Sequence, residues 1–251
     1  MANAPASAPT SAEQGARFTA THWSVVLHAQ DPASPQAGEA LEKLCRSYWP
    51  PLYAYVRRVG NDEHTAKDLT QGFFAKLLEK NYLADVRREK GKFRSFLLKS
   101  LKHFLADEWD KSQAQKRGGG RIMLSFDEQT AEDRYRLEPA DEMTPDKLFD
   151  RRWALTTLEQ AVGRLRKEYQ DTDKAALFGQ LQDFLSGGPG DSTYAEAAAR
   201  LGMTESTLKS YVFRLRKRNR EILREVIAQT VASPSQIDEE LRDLRAALAA
   251  T

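Results

Sequence analysis

Lys209, Arg214, Arg216, Lys217, Arg218, Arg220 and Arg224 crowd the stretch between Thr204 and Arg224, against only Glu205 and Glu221. The local balance is +5, in a chain whose formal net charge is +2. Cations concentrated on one segment suit a phosphate backbone. At helical spacing, Ser206, Thr207, Lys209, Ser210, Phe213, Arg214 and Lys217 fall mainly on one side. Hydroxyl, amine and guanidinium donors of this kind read base edges and hold phosphates. The chemistry offered is therefore recognition. No carboxylate pair, nucleophile constellation or phosphate-cradling glycine loop points to bond-making. The Gly118–Gly120 run lacks a strand-to-helix setting. His22, His28, His64 and His103 do not recur at metal-ligand spacing, and Cys45, the single cysteine, sits in an amphipathic stretch as a small core residue. We expect no enzyme activity, no metal and no cofactor.

The elements that must position these donors can be read around them. Tyr194 to Leu201 is a helix with an alanine-rich inner face. Gly202 suits a helix C-terminus that needs positive φ, and Thr204 can cap the helix that follows. Leu208, Val212, Leu215 and Ile222 then mark a buried stripe. Asp191 to Arg224 thus reads as a helix-turn-helix with a basic extension, and its expected partner is duplex DNA.

The remainder of the chain is expected to be helical. Strand-like alternation is nearly absent, and Ala, Leu, Arg, Glu and Lys dominate. The reading is an all-α protein of two small helical domains joined by a flexible acidic linker, the second domain a helix-turn-helix. Residues 1–20 read as a disordered tail without a secretory signal. The first domain covers 21–117. It holds a short helix with Trp23, Val26 and Leu27, and a helix from Ser34-Pro35 that Pro50-Pro51 breaks or kinks. Asp62 caps a helix with the stripe Ala66, Leu69, Phe73, Leu77 and Leu78; a loop follows over 82–92. A long helix from Phe93 then buries Phe93, Leu97, Leu101, Phe104 and Leu105 and leaves Arg94, Lys99, Lys102 and His103 as a basic edge. The linker is 118–144, and from Asp127 to Asp150 the composition turns acidic, with nine acids and three bases. The second domain is 145–231, opened by Thr144-Pro145. Residues 232–251 form an extension with a capping-box start at Ser233 and the stripe Ile237, Leu241, Leu244 and Leu248. A stripe this narrow suits packing on its own domain; binding a regulator or masking a DNA surface are the alternatives. No apolar run approaches ~20 residues, so no membrane partner is expected, and the lone cysteine fits a reducing, cytoplasmic setting.

Two regions together resemble a bacterial RNA polymerase sigma factor of the extracytoplasmic-function group. One runs Ala66-Lys67-Asp68-Leu69-Thr70-Gln71, Phe73, then Phe93-Arg94-Ser95-Phe96-Leu97 and a basic run to Arg117; the other is Tyr194-Ala195-Glu196-Ala197-Ala198 to Ser206-Thr207-Leu208-Lys209-Ser210-Tyr211. The resemblance implies a promoter-specificity subunit with RNA polymerase core enzyme and promoter DNA as partners. The first domain would bind the polymerase, through Asp68 and Gln71, and capture the minus-ten element as single strand. Arg94, Phe96, Lys99, Lys102 and His103, with the 82–92 loop, are the candidates for that capture, since a basic edge with aromatic neighbours suits unpaired bases. The second domain would hold the minus-35 element through Ser206, Thr207, Lys209, Ser210, Phe213, Arg214 and Lys217. The acidic linker would thread into the core enzyme.

Departures from the family pattern carry their own expectation. The family usually has acids where Lys67 and Gly72 stand, and Asn where His103 stands. Some sigma factors of this group, which this chain resembles, lack those acids and are linked to serine/threonine kinases. A phosphate on Thr70, or secondarily on Thr65, would restore about −1.5 to −2 of charge. Two rivals remain: a helix-turn-helix regulator that never joins the polymerase, which leaves the Phe93–Arg117 helix without a job, and a kinase-controlled adaptor with vestigial DNA contact.

Overall fold

Aromatic and aliphatic residues at helical spacing build most elements of the computed structural model, which describes residues 37–77, 92–114, 128–137, 143–186, 193–231 and 233–249. Among these the structure is all-α, with nine α-helices. They are α1 (Ala37–Arg58), α2 (Glu63–Leu77), α3 (Phe93–Ala114), α4 (Glu128–Arg136), α5 (Pro145–Gln170), α6 (Ala175–Leu181), α7 (Tyr194–Arg200), α8 (Glu205–Ala228) and α9 (Ile237–Ala249), with 3-10 turns at Gln182–Ser186 and Pro234–Gln236. The expected tail, the Trp23 helix, the 82–92 loop apart from Lys92, and Gly118–Gly120 lie outside the described residues. The chain divides into two compact units: residues up to Ala154 together with those from Ala228 onward, and Leu155–Ile227. The first turns of α5 and the whole of α9 therefore belong to the first unit.

In the first unit, α1 buries Leu44, Cys45, Tyr48, Trp49, Leu52, Tyr53 and Val56. Pro50 and Pro51 do not break it; α1 is one helix through both. A proline removes one backbone bond and crowds the preceding turn. Here the aromatic packing just ahead of the pair offsets that cost: Trp49 stacks on Phe74 with centroids 5.8 Å apart, and Tyr48 meets Phe93 edge-on at 5.2 Å. Burial pushes the Cys45 thiol up to about 12, which leaves it inert as a nucleophile. Asp62 caps α2, its Oδ1 accepting from the Thr65 N–H at 2.9 Å. The inner face of α2 is Ala66, Thr70, Phe73, Phe74 and Leu77, with Leu69 only half-buried. α3 buries Phe93, Leu97, Leu101 and Phe104 as its spacing predicts.

The linker expectation needs correcting for residues 128–136, which form a helix packed on α1. Its anchor is Glu132, whose side chain is 4% exposed. Arg57 grips both carboxylate oxygens, Nε to Oε2 at 3.0 Å and Nη2 to Oε1 at 2.9 Å, and the Tyr53 hydroxyl donates to Oε2. Burial alone would raise this carboxyl; the bonds from Arg57 and Tyr53 outweigh it and hold Glu132 at about 2. One acid among many in the stretch is thus a buried anchor, which composition alone did not reveal.

The second unit is built on Ala161, Leu165, Phe178, Leu181, Phe184, Ala197, Ala198, Leu208, Val212, Leu215, Ile222 and Val226. Ala197 and Ala198 of α7 are buried in the same cluster as Leu208 and Val212 of α8.

Candidate nucleic-acid interfaces

The basic face of the second unit is positioned by two caps and one turn. At the start of α7, the Thr193 N–H donates to Glu196 Oε2 (2.8 Å) and the Glu196 N–H to Thr193 Oγ1 (3.2 Å), a reciprocal capping box. α7 ends at Gly202, whose φ of +63° is the left-handed conformation that spares a Cβ. The Met203 N–H returns to the Ala198 carbonyl at 3.0 Å, which satisfies a carbonyl at the helix end. Thr204 then caps α8, its Oγ1 accepting from the Thr207 N–H at 3.2 Å. Leu208, Val212, Leu215 and Ile222 face inward.

This leaves Ser206, Thr207, Lys209, Ser210, Phe213, Arg214 and Lys217 exposed on α8. Glu205, Ser206, Lys209, Ser210, Phe213 and Arg214 surround one shallow, open hollow. Phe213 is 63% exposed, an unusual cost for a phenyl ring on a solvated face and a suitable apolar contact for a base edge. Glu205 holds Lys209 Nζ at 2.6 Å, and the hydrogen bond raises the lysine's pKa. The Arg214 guanidinium lies 4.8 Å over the Tyr211 ring. Not every cation of the run faces outward. Arg216 Nε donates to the Phe184 carbonyl at 2.8 Å, and Arg218 forks onto Glu168 at 2.9 and 2.6 Å while reaching Glu221 and Glu225. Both are half-buried struts of the unit. Charge counting could not separate them from the outward donors, because the Phe184 carbonyl lies 32 residues from Arg216 and Glu168 lies 50 residues from Arg218.

On α3 of the first unit, Lys99, Lys102 and His103 are exposed as expected. Lys102 Nζ is held by Asp146 at 2.5 Å. Phe96 is half-buried, 6.0 Å from Phe93. Arg94 departs from expectation: it is 8% exposed, its guanidinium 4.4 Å over the Trp153 ring and ion-paired with Glu240, Asp243 and Asp150. It is not an open donor in this conformation, because three carboxylates already fill its hydrogen-bonding fork. Trp109, which periodicity left unassigned, is 67% exposed. It lies seven residues beyond Lys102 and so on the same helix face, a signal that the i to i+7 spacing contained.

On α2, Asp68 and Gln71 are half-exposed. His64 Nδ1 lies 3.6 Å from Asp68, and Lys67 is tied to Glu63 at 3.0 Å. Thr70 is not the surface hydroxyl that modification requires. It is fully buried, and its Oγ1 donates to the Ala66 carbonyl at 2.7 Å. Thr65 is exposed, with Oγ1 donating to Asp62 Oδ2 at 2.8 Å. Gly72 has a packing reason: a Cβ there would meet Phe104 Cζ at 3.3 Å, so any side chain presses on the α2–α3 contact. Among the described residues no group of three His, Cys, Asp or Glu side chains could hold a metal, and no helix is long and apolar enough to cross a membrane.

Residues 44–115 match the family model of sigma-70 region 2. The matched segment runs from Leu44 of α1 through α2 and α3. The match supports a sigma factor of the sigma-70 family, a transcription-initiation protein that recognises promoter DNA together with core RNA polymerase. No curated protein and no solved structure matches the chain.

Proposed function

We propose that this protein is a promoter-specificity factor of the extracytoplasmic-function type. Its first unit docks on core RNA polymerase through the α2 surface around Asp68 and Gln71 and takes up melted minus-ten DNA along the Lys99–Lys102–His103 edge of α3. Its second unit seats α8 in the major groove of the minus-35 element. It performs no catalysis; the polymerase makes the bonds. The observation that carries the reading is the region 2 match over 44–115 on a chain that also presents the exposed donors of α8. Neither surface alone accounts for both. An α-helix with outward hydroxyl, cation and phenyl groups fits the width of a major groove, and paired phosphate contacts set its register.

A threonine switch on α2 is part of this proposal. Thr65 is the hydroxyl open to a kinase in the folded unit, and Thr70 becomes one only when α2 opens. A phosphate on either would add the negative charge that the polymerase-facing surface lacks at Lys67 and Gly72.

The test is transcription in vitro. Core polymerase plus the purified chain, unmodified and kinase-treated, should start RNA at discrete positions on genomic DNA, and the chain should copurify with the core enzyme. Binding to DNA without polymerase association would favour the polymerase-independent regulator. Association without transcripts would favour the adaptor. Comparing Thr65→Ala with Thr70→Ala after kinase treatment assigns the switch; equal core affinity throughout removes it.

A further inference from the structure

Helix α9 brings three acids to the start of α3. Lys92 Nζ lies 2.8 Å from Glu239 and 3.4 Å from Glu240, and also pairs with Asp243. Arg94 Nε donates to Glu240 Oε1 at 2.8 Å, and its Nη2 lies 2.7 Å from Asp243 Oδ2. Asp150 takes Nη1 from the other side. Glu240 is fully buried in this contact. The chain runs into it through Thr230, whose carbonyl accepts the Phe93 N–H at 3.2 Å. All of these residues belong to the first unit.

Two features mark this as more than packing. The first is the charge count. With α9 seated, Lys92 and Arg94 face Asp150, Glu239, Glu240 and Asp243, two acids in excess. With α9 withdrawn, the same spot keeps two bases against Asp150 alone. One helix therefore reverses the sign at one end of the edge that carries Lys99 and Lys102. The second is the ligand geometry. Carboxylates that fork onto a guanidinium occupy the positions phosphate oxygens would take. α9 itself buries Ile237 and Leu244 and half-buries Leu241 and Leu248, and these ion pairs add to that apolar attachment.

We propose that α9 is a built-in electrostatic antagonist of the first unit: its acids stand in for nucleic-acid phosphates on Lys92 and Arg94, and strand capture along α3 requires them to let go. The inference rests on the reading of α3 as the promoter-facing helix. It makes Arg94 a contact that becomes available only on release, which joins the expectation from sequence to its burial here.

The experiment uses the full chain and a fluorescein-labelled, mixed-sequence single-stranded 20-mer titrated over a range of KCl. Glu239→Gln/Asp243→Asn changes two half-exposed carboxylates isosterically and leaves buried Glu240 in place. It should tighten binding about fivefold or more and steepen the dependence of log affinity on log salt by about 1–2, the signature of added phosphate contacts. Adding Arg94→Gln should cancel the gain. Asp243→Asn alone should act in the same direction at smaller size, which serves if the double variant loses its helical circular dichroism. A folded variant with unchanged affinity and salt slope overturns the proposal. Lys99→Ala/Lys102→Ala in the parent chain separates the two levels. If it leaves binding unchanged, the reading of α3 fails. If it weakens binding while the acid variants gain nothing, only the role given to α9 fails.

Discussion

Glu132 shows how much a single side chain can hold when burial and pairing act together. Its carboxylate is pulled to about 2 in the folded chain, from an ordinary value of 4.5. A depressed carboxyl contributes stability that is fully present above the unfolded value and is lost as pH falls through the folded one. The first unit should therefore lose stability between about pH 4.5 and 2, and Glu132→Gln should flatten that limb in acid titrations followed by circular dichroism. Glu132→Ala at neutral pH leaves Arg57 without its buried partner and should cost about 3–5 kcal/mol. Thr70 makes the opposite case. Its hydroxyl is satisfied by the Ala66 carbonyl inside the unit, so Thr70→Glu places a carboxylate in a fully buried site. An unpaired buried charge costs about 3–5 kcal/mol. The substitution should lower the thermal midpoint sharply, and failure to activate transcription would then report folding, whereas Thr65→Glu on the exposed side of α2 should leave the midpoint nearly unchanged.

At the level of elements, the turn between α7 and α8 depends on Gly202 because its φ of +63° is strained for any residue with a Cβ. Gly202→Val should destabilise the second unit by about 1–3 kcal/mol, while Gly202→Asn should be tolerated more easily; chemical denaturation monitored in the second unit checks both. On the outer face, Lys209→Ala and Arg214→Ala should each weaken duplex binding and reduce the salt slope by about 1, because each removes one phosphate-competent cation. These features were legible in the sequence because they are local. Glycine at a helix end, threonine at the next start and a period of three to four residues along Leu208, Val212 and Leu215 are all fixed by neighbours in the chain. What stayed hidden depends on distant partners. α1 continues through Pro50-Pro51 where Phe74 and Phe93 pack on Trp49 and Tyr48, the residues just ahead of the pair. α4 is a helix at residues 128–136 because Tyr53 and Arg57 receive Glu132, 79 and 75 residues away. Arg94 looked like a free donor because its three carboxylates lie 56, 146 and 149 residues along the chain. Thr70 looked exposed because its neighbours Lys67, Asp68 and Gln71 are polar, although its period matches Ala66, Phe73 and Phe74.

For the molecule as a whole, the order of the chain and the order of the units differ. The first unit is discontinuous: Leu155–Ile227 is inserted between its two segments. Residues 228–249 supply the first unit with buried Thr230, Val231, Ile237, Glu240 and Leu244, although by position they follow the helix that bears the second unit's donors. Truncation before residue 232 should consequently be felt in a part of the sequence far from the cut. It removes the partners of Lys92 and Arg94 and the apolar contacts of Ile237 and Leu244 while leaving the Thr230 carbonyl to accept from Phe93. Native-state hydrogen exchange should show lost protection at the start of α3 and in the first turns of α5, where Asp150 pairs with Arg94 and Arg151 donates to the Leu248 carbonyl of α9. Amides of α6, α7 and most of α8 should keep theirs, since their core from Ala161 to Val226 lies wholly within the inserted unit. Equal loss in both units would mean that the chain unfolds as one cooperative body. Loss confined to the last turn of α8 would mean that α9 contributes little to the unit it packs in. The expected pattern, loss in the first unit and none in the second, would establish that the extension behaves as part of the first unit despite following the second in the chain.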